Sequence, residues 1–168
     1  WQARDKGLWS AELATAACDA IQKKPEGQME EHVKDPAVFL VEYADGLKTA
    51  TLMLSGYVSD FSYAARVDGQ VQGVEFYLQN EGPFSHFGYL CRNVQDFFRT
   101  KKAPYPPERT LLTTGIIDAA MNSRHEDHRK IETPYLNVAY SSYDKLPQRP
   151  IGTRPVGASI DPQAPDII

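Results

Sequence analysis

Two Asp-Gly pairs, Asp45-Gly46 and Asp68-Gly69, each lie between runs of alternating apolar and polar residues. This is the strongest short-range signal for a β-hairpin, because both residue types tolerate the left-handed backbone a tight turn needs. The first hairpin is predicted from residues 37–43 (AVFLVEY) and 47–54 (LKTATLML), the second from residues 60–67 (DFSYAARV) and 71–78 (VQGVEFYL). In the second, Phe61, Tyr63 and Ala65 alternate with Ser62, Ala64 and Arg66. Two adjacent hairpins with partly apolar faces predict one antiparallel sheet covered on at least one side.

Helical patterns flank the hairpins. Upstream, Ser10 is a candidate N-cap, and Leu13, Ala16, Ala17, Ala20 and Ile21 form one apolar stripe, with Lys23 and Lys24 at the C-terminal end and Pro25 as the stop. Downstream, residues 84–100 carry Phe84, Phe87, Tyr89, Leu90, Cys91, Val94, Phe97 and Phe98 and read as a strongly amphipathic helix. The APYPP run at 103–107 is a stiff connection, and residues 108–122 form a further helix with Leu111, Leu112, Ile116, Ile117 and Met121 on its apolar side. Gly115 inside that helix costs about 1 kcal/mol relative to Ala, which predicts a close packing contact there. Residues 135–140 (YLNVAY) read as a last strand, and Pro, Gly and Asp dominate a loosely ordered tail. The expected fold class is α+β: a mainly antiparallel open sheet with helices packed on one face, in one domain over residues 1–146 with a tail at 147–168.

Composition narrows the function classes. The 168 residues are 42% hydrophobic and 24% charged, enough for one core and far from the profile of a disordered chain. Lys plus Arg number 18 against 22 Asp plus Glu, a formal charge of −4 that calls for neither nucleic acid nor an anionic membrane. Apolar runs are strand-sized, so no membrane span is expected, and the absence of a secretory pattern leans towards the cytoplasm. Opening on Trp1 rather than Met suggests an excised piece or a processed product. Cys18 and Cys91 make neither a disulfide framework nor a zinc site and are expected as buried free thiols.

Chemistry-bearing patterns are sparse. The 11 glycines form no GxGxxG or GxxxxGK[ST], so no dinucleotide or phosphate loop is visible. His125 and His128 in SRHEDHR have the HxxH spacing that sets two imidazoles on one helical face, yet a solvated charged loop is the stronger reading and no metal is expected. His86 at a helix start is either a general base or a structural ring. Residues 109–115 (RTLLTTG) open a helix after the proline bend. They either receive an anion or form a start capped by hydroxyls, with Arg109 paired to Glu108 or Glu132. The candidate substrate-binding residues are therefore His86, Arg109 and Thr113, polar groups at helix starts. The many aromatics point to a sheet face used for homo-oligomer formation.

The segments GLWSAELATAACDA, AVFLVEYADGLKTATLMLSG, DFSYAARVDG and APYPPERTLLTTGIIDAAMNSR…IETPYLNVAY follow one another over residues 7–142. In that order they resemble the C-terminal region of Gfo/Idh/MocA proteins, named for glucose–fructose oxidoreductase and inositol dehydrogenase. The resemblance implies an α/β domain with an open, mainly antiparallel sheet that shapes a substrate site and builds oligomers. It implies a separate Rossmann domain for NAD(P), and hence no cofactor held by this chain alone. The family's catalytic Lys belongs to an EKP-type segment of that other domain. Its D-x-x-x-H pair has no counterpart here, since Asp118 is followed by Asn122 at the matching place, so no catalytic residue is carried over. The expected function is the substrate and oligomerisation domain of an NAD(P)-dependent oxidoreductase, inactive by itself. The alternative is a non-catalytic binding or self-association module.

Overall fold

The computed structural model describes residues 1–76, 85–141 and 148. The chain is α+β and divides into two compact units, Trp1–Tyr77 and Leu78–Ile168. Of the expected tail, only Gln148 is among the described residues.

The first unit runs α1 (Gln2–Asp5), α2 (Ala11–Asp19), α3 (Met29–His32), β1 (Ala37–Glu42), β2 (Lys48–Met53), β3 (Phe61–Val67) and β4 (Gln70–Phe76). Ser10 caps α2 as expected, its Oγ accepting from the Leu13 amide at 3.2 Å. The helix ends at Asp19, earlier than the lysines suggest, and Lys24 instead folds back to pair with Asp19 at 3.2 Å. Both predicted hairpins form and are antiparallel. Asp68 and Gly69 both adopt positive φ, 50° and 78°, the backbone of a two-residue turn matched to strand twist. At the first turn Gly46 takes φ 89° and the Tyr43 amide reaches the Leu47 carbonyl at 2.8 Å.

The hairpins do not join into the single expected sheet; each is a separate two-stranded sheet. The cause lies between them. Leu54 and Tyr57 are both buried, and the Tyr57 and Val58 amides bond back to the Leu54 carbonyl, which turns the chain away from edge-to-edge pairing. The core consists of Trp9, Ala14, Cys18, Met29, Val33, Leu54 and Tyr57, with Val38, Ala50 and Leu52 of the first hairpin against it. Trp1 closes one side by donating its indole N–H to the Val33 carbonyl at 3.0 Å.

Helix α2 also packs on the second hairpin. Gly73 permits this. A methyl built there would collide with the Ala16 carbonyl oxygen and stand 3.0 Å from the Ala16 carbonyl carbon. Gly73 pairs with Ala64 across the strands, so the small-residue face is the covered one. An ion pair from Arg66 to Glu12 and a bond from the Gln22 amide to Glu75 at 3.4 Å fasten the two ends.

The second unit contains α4 (Ser85–Thr100), α5 (Pro107–His125) and a 3-10 turn at Pro134–Leu136. Pro107 takes the first helical position of α5, where its missing N–H costs nothing. Residues 135–140 form no strand. Pro134 starts a 3-10 turn whose Leu136 is buried against α5, so the apolar side chain is satisfied without a sheet. The contact predicted at Gly115 is there: a methyl on it would lie 2.9 Å from Leu136 Cδ1 and 3.1 Å from Cγ.

Candidate functional site

The start of α5 places two of the candidate residues one turn apart. The Arg109 guanidinium lies over the Tyr105 ring, 4.8 Å from its centroid, a stacking contact with the residue before the proline pair. Thr113 Oγ donates back to the carbonyls of Arg109, at 3.1 Å, and Thr110, at 3.2 Å. That hydroxyl is committed to its own helix. The helix start itself is capped by Pro106 with no side-chain hydrogen bond, not by hydroxyls, and Glu132 pairs with Lys130 at 3.2 Å rather than with Arg109. The side chain of His86 lies outside the described residues.

His125 and His128 do not share a helical face. Helix α5 ends at His125, and Asp127 and His128 then adopt φ 52° and 62°. The His128 amide donates to the Ser123 carbonyl at 2.8 Å, Ser123 Oγ donates to the Arg129 carbonyl at 2.7 Å, and Arg129 pairs with Glu126. The segment is a helix stop that uses its own polar groups. Among the described residues no group of three or more His, Cys, Asp or Glu is placed to hold a metal ion.

The cysteines separate. Cys18 is buried in the core, and loss of hydration pushes its thiol above the ordinary value, more than Lys24 nearby lowers it. Cys91, expected to be buried, is exposed on α4, where Phe87, Leu90, Val94 and Phe97 are exposed as well. The apolar stripe is real, but burial of it is not.

Tyr57 gathers a polar cluster that the sequence did not signal. Its hydroxyl donates to the Gly27 carbonyl at 3.1 Å and accepts from Lys24 Nζ at 3.3 Å, and its ring stacks on His32 with centroids 5.2 Å apart. The His32 Nε2 is 2.7 Å from the Glu26 carbonyl. The hydrogen bonds to Tyr57 and Asp19 hold the Lys24 ammonium above its ordinary value. With Lys24, Glu26 and Gly27 all in the loop between α2 and α3, this cluster fastens that loop to the core.

The open surface is on the other side of the second hairpin. Register sets Phe61 opposite Phe76 and Tyr63 opposite Val74, all on the face away from α2. Each is about half or more exposed, at 62%, 52%, 54% and 50% respectively. The arrangement inverts the usual order, with small and polar residues inside and aromatics outside. Isolated glycine in a strand was the available signal for it, because such a glycine marks a close backbone approach.

The resemblance assigns a nicotinamide dinucleotide to a separate domain. Its pyrophosphate takes a glycine-rich turn between a strand and a helix N-terminus. The strand-to-helix passage in this chain, residues 77–84, holds the single glycine Gly82. No helix among the described residues is long and apolar enough to cross a membrane. Comparison of the chain with protein-family models, curated proteins and solved structures finds no match.

Proposed function

We propose that this chain is the substrate-side and assembly domain of an NAD(P)-dependent oxidoreductase, with the nucleotide held by a separate domain and no catalysis by this domain alone. The observation that carries the assembly half is the aromatic face of β3 and β4, with Phe61, Tyr63, Val74 and Phe76 exposed while α2 occupies the opposite face. Each is about half exposed, so covering it is worth roughly 1 kcal/mol, about half the value for burying a whole side chain, and a face of several favours self-association. The oxidoreductase half rests on the resemblance of residues 7–142 to Gfo/Idh/MocA C-terminal regions. It agrees with a chain whose glycines make no pyrophosphate cradle.

Sedimentation velocity over a concentration series tests the assembly reading. The native chain is expected to associate and Tyr63→Lys to remain monomeric; a native chain that is strictly monomeric at high concentration removes this reading. Titration with NADH and NADPH tests the division of labour. The domain alone is expected to show no micromolar binding, and tight binding would overturn the proposal. The self-association alternative draws on the same face. It gains if the full-length gene product, joined to all its domains, also fails to bind either nucleotide.

A further inference from the structure

Asn93 lies midway along α4 with only 7% of its surface exposed, and its carboxamide is fully engaged. Nδ2 donates to the Tyr89 carbonyl one turn back, at 2.8 Å, and to the main-chain carbonyl of Gln148, at 2.7 Å. Oδ1 accepts from the main-chain N–H of the same Gln148 at 3.2 Å. A carboxamide carries one donor end and one acceptor end, so it pairs with both polar groups of a single peptide residue much as a neighbouring strand does. The Gln148 side chain adds a further contact: Nε2 donates to Asp96 Oδ2 at 2.8 Å. Asp96 lies three positions after Asn93, on the same side of the helix.

We infer that Asn93 and Asp96 form a recognition notch on α4 for one glutamine residue of a peptide, and that Gln148 of this chain is its built-in occupant. The main-chain pairing with Asn93 sets position and direction. Asp96 sets residue type, because an ionised carboxylate accepts hydrogen bonds and donates none. A glutamine amide satisfies it, whereas a glutamate at the same place meets like charge. In the occupied notch both ends of the buried carboxamide are paired, so its burial leaves neither a donor end nor an acceptor end unsatisfied. Asn93 and Asp96 also line an open cleft together with Phe97, Thr100 and Pro104. The effect is to tie the chain to α4 at a position 55 residues from Asn93 in sequence.

Limited trypsin digestion of the full chain reads this tie directly, because Lys145 lies three residues before Gln148 and is followed by Leu146. Cleavage after Lys145 is expected to follow how often Gln148 leaves α4. Gln148→Ala is expected to speed that cut about tenfold, the factor that one lost charge-assisted hydrogen bond produces, while cleavage after Lys34 in the first unit stays at the native rate. Gln148→Glu is expected to behave like Gln148→Ala. Combining it with Asp96→Asn exchanges donor for acceptor without changing shape and is expected to return the rate to within about twofold of native. Equal rates for Gln148→Ala and the native chain overturn the notch. An exchange variant no slower than Gln148→Glu overturns the selection by Asp96.

Discussion

Gly73 of β4 lies directly against Ala16 of α2, close enough that a methyl group on the glycine would meet the alanine's carbonyl oxygen and carbon. This one approach determines which face of the second hairpin the helix covers. A backbone carbonyl in the middle of a helix has no rotamer to yield. Gly73→Ala is therefore expected to destabilise the first unit by about 2 kcal/mol, within the range for overpacking. Urea denaturation followed by tryptophan fluorescence measures it, since Trp9 belongs to the same unit's core.

Gly115 presents the same geometry with a different outcome, because its neighbour is the flexible end of Leu136. Alanine there gains about 1 kcal/mol of helix propensity and loses about 1–3 kcal/mol to crowding. A net destabilisation smaller than that of Gly73→Ala is expected. Leu136→Ala alone removes a buried side chain and is expected to cost roughly 2–3 kcal/mol. The double variant should be more stable than the sum of the two effects, by thermal denaturation in a double-mutant cycle, because the added methyl fills the space that the leucine leaves.

Alkali should weaken the first unit in two stages. Burial raises the Cys18 thiol above its ordinary value of 9.0, so the unfolded chain loses that proton first. The stability is complete below pH 9 and falls as pH rises towards the folded-state value. Hydrogen bonds to Tyr57 and Asp19 raise the Lys24 ammonium above 10.5, and its contribution is held below that pH and lost as pH rises through the folded-state value. Thermal midpoints across pH 8 to 11.5 measure both. Cys18→Ala is expected to flatten the earlier part of the decline and Lys24→Met the later part.

Arg109 stacks on Tyr105, and that contact rather than an ion pair is its visible role. Arg109→Met is accordingly expected to cost under about 1 kcal/mol, the scale of an exposed cation–π contact. Arg109→Lys should lose part of it, because a guanidinium plane stacks better than an ammonium. Chemical denaturation monitored by helix circular dichroism distinguishes these small steps from an unchanged curve.

The elements that local chemistry controls are legible in the amino-acid sequence. Asp68-Gly69 announces a two-residue turn and forms one, Ser10 announces a cap and accepts the expected amide, and Gly115 announces a close contact and makes one. Misreadings arose where local pattern met a tertiary alternative. Residues 135–140 have strand composition, yet Pro134 starts a 3-10 turn whose Leu136 packs against Gly115. Cys91 sits on a good apolar stripe, but exposure depends on what packs there, which periodicity does not encode. Of the candidate site, Arg109 and Thr113 were placed correctly at the start of a helix, and their partners, an aromatic ring and the helix's own carbonyls, were not foreseen. Asn93 gave no signal at all, because its partner lies far along the chain.

Chain order alone determined the α+β character, the two hairpins and the helix that begins after Ser10, since each follows from backbone preferences spanning a few residues. Tertiary structure decided that the hairpins stay separate, that α2 covers the small-residue face and leaves Phe61, Tyr63, Val74 and Phe76 in the open, and that Gln148 meets Asn93. The physical reason is that alternation along a strand defines two faces without ranking them. The ranking comes from how closely another backbone can approach, and here a single hydrogen in place of a side chain at Gly73 settled it.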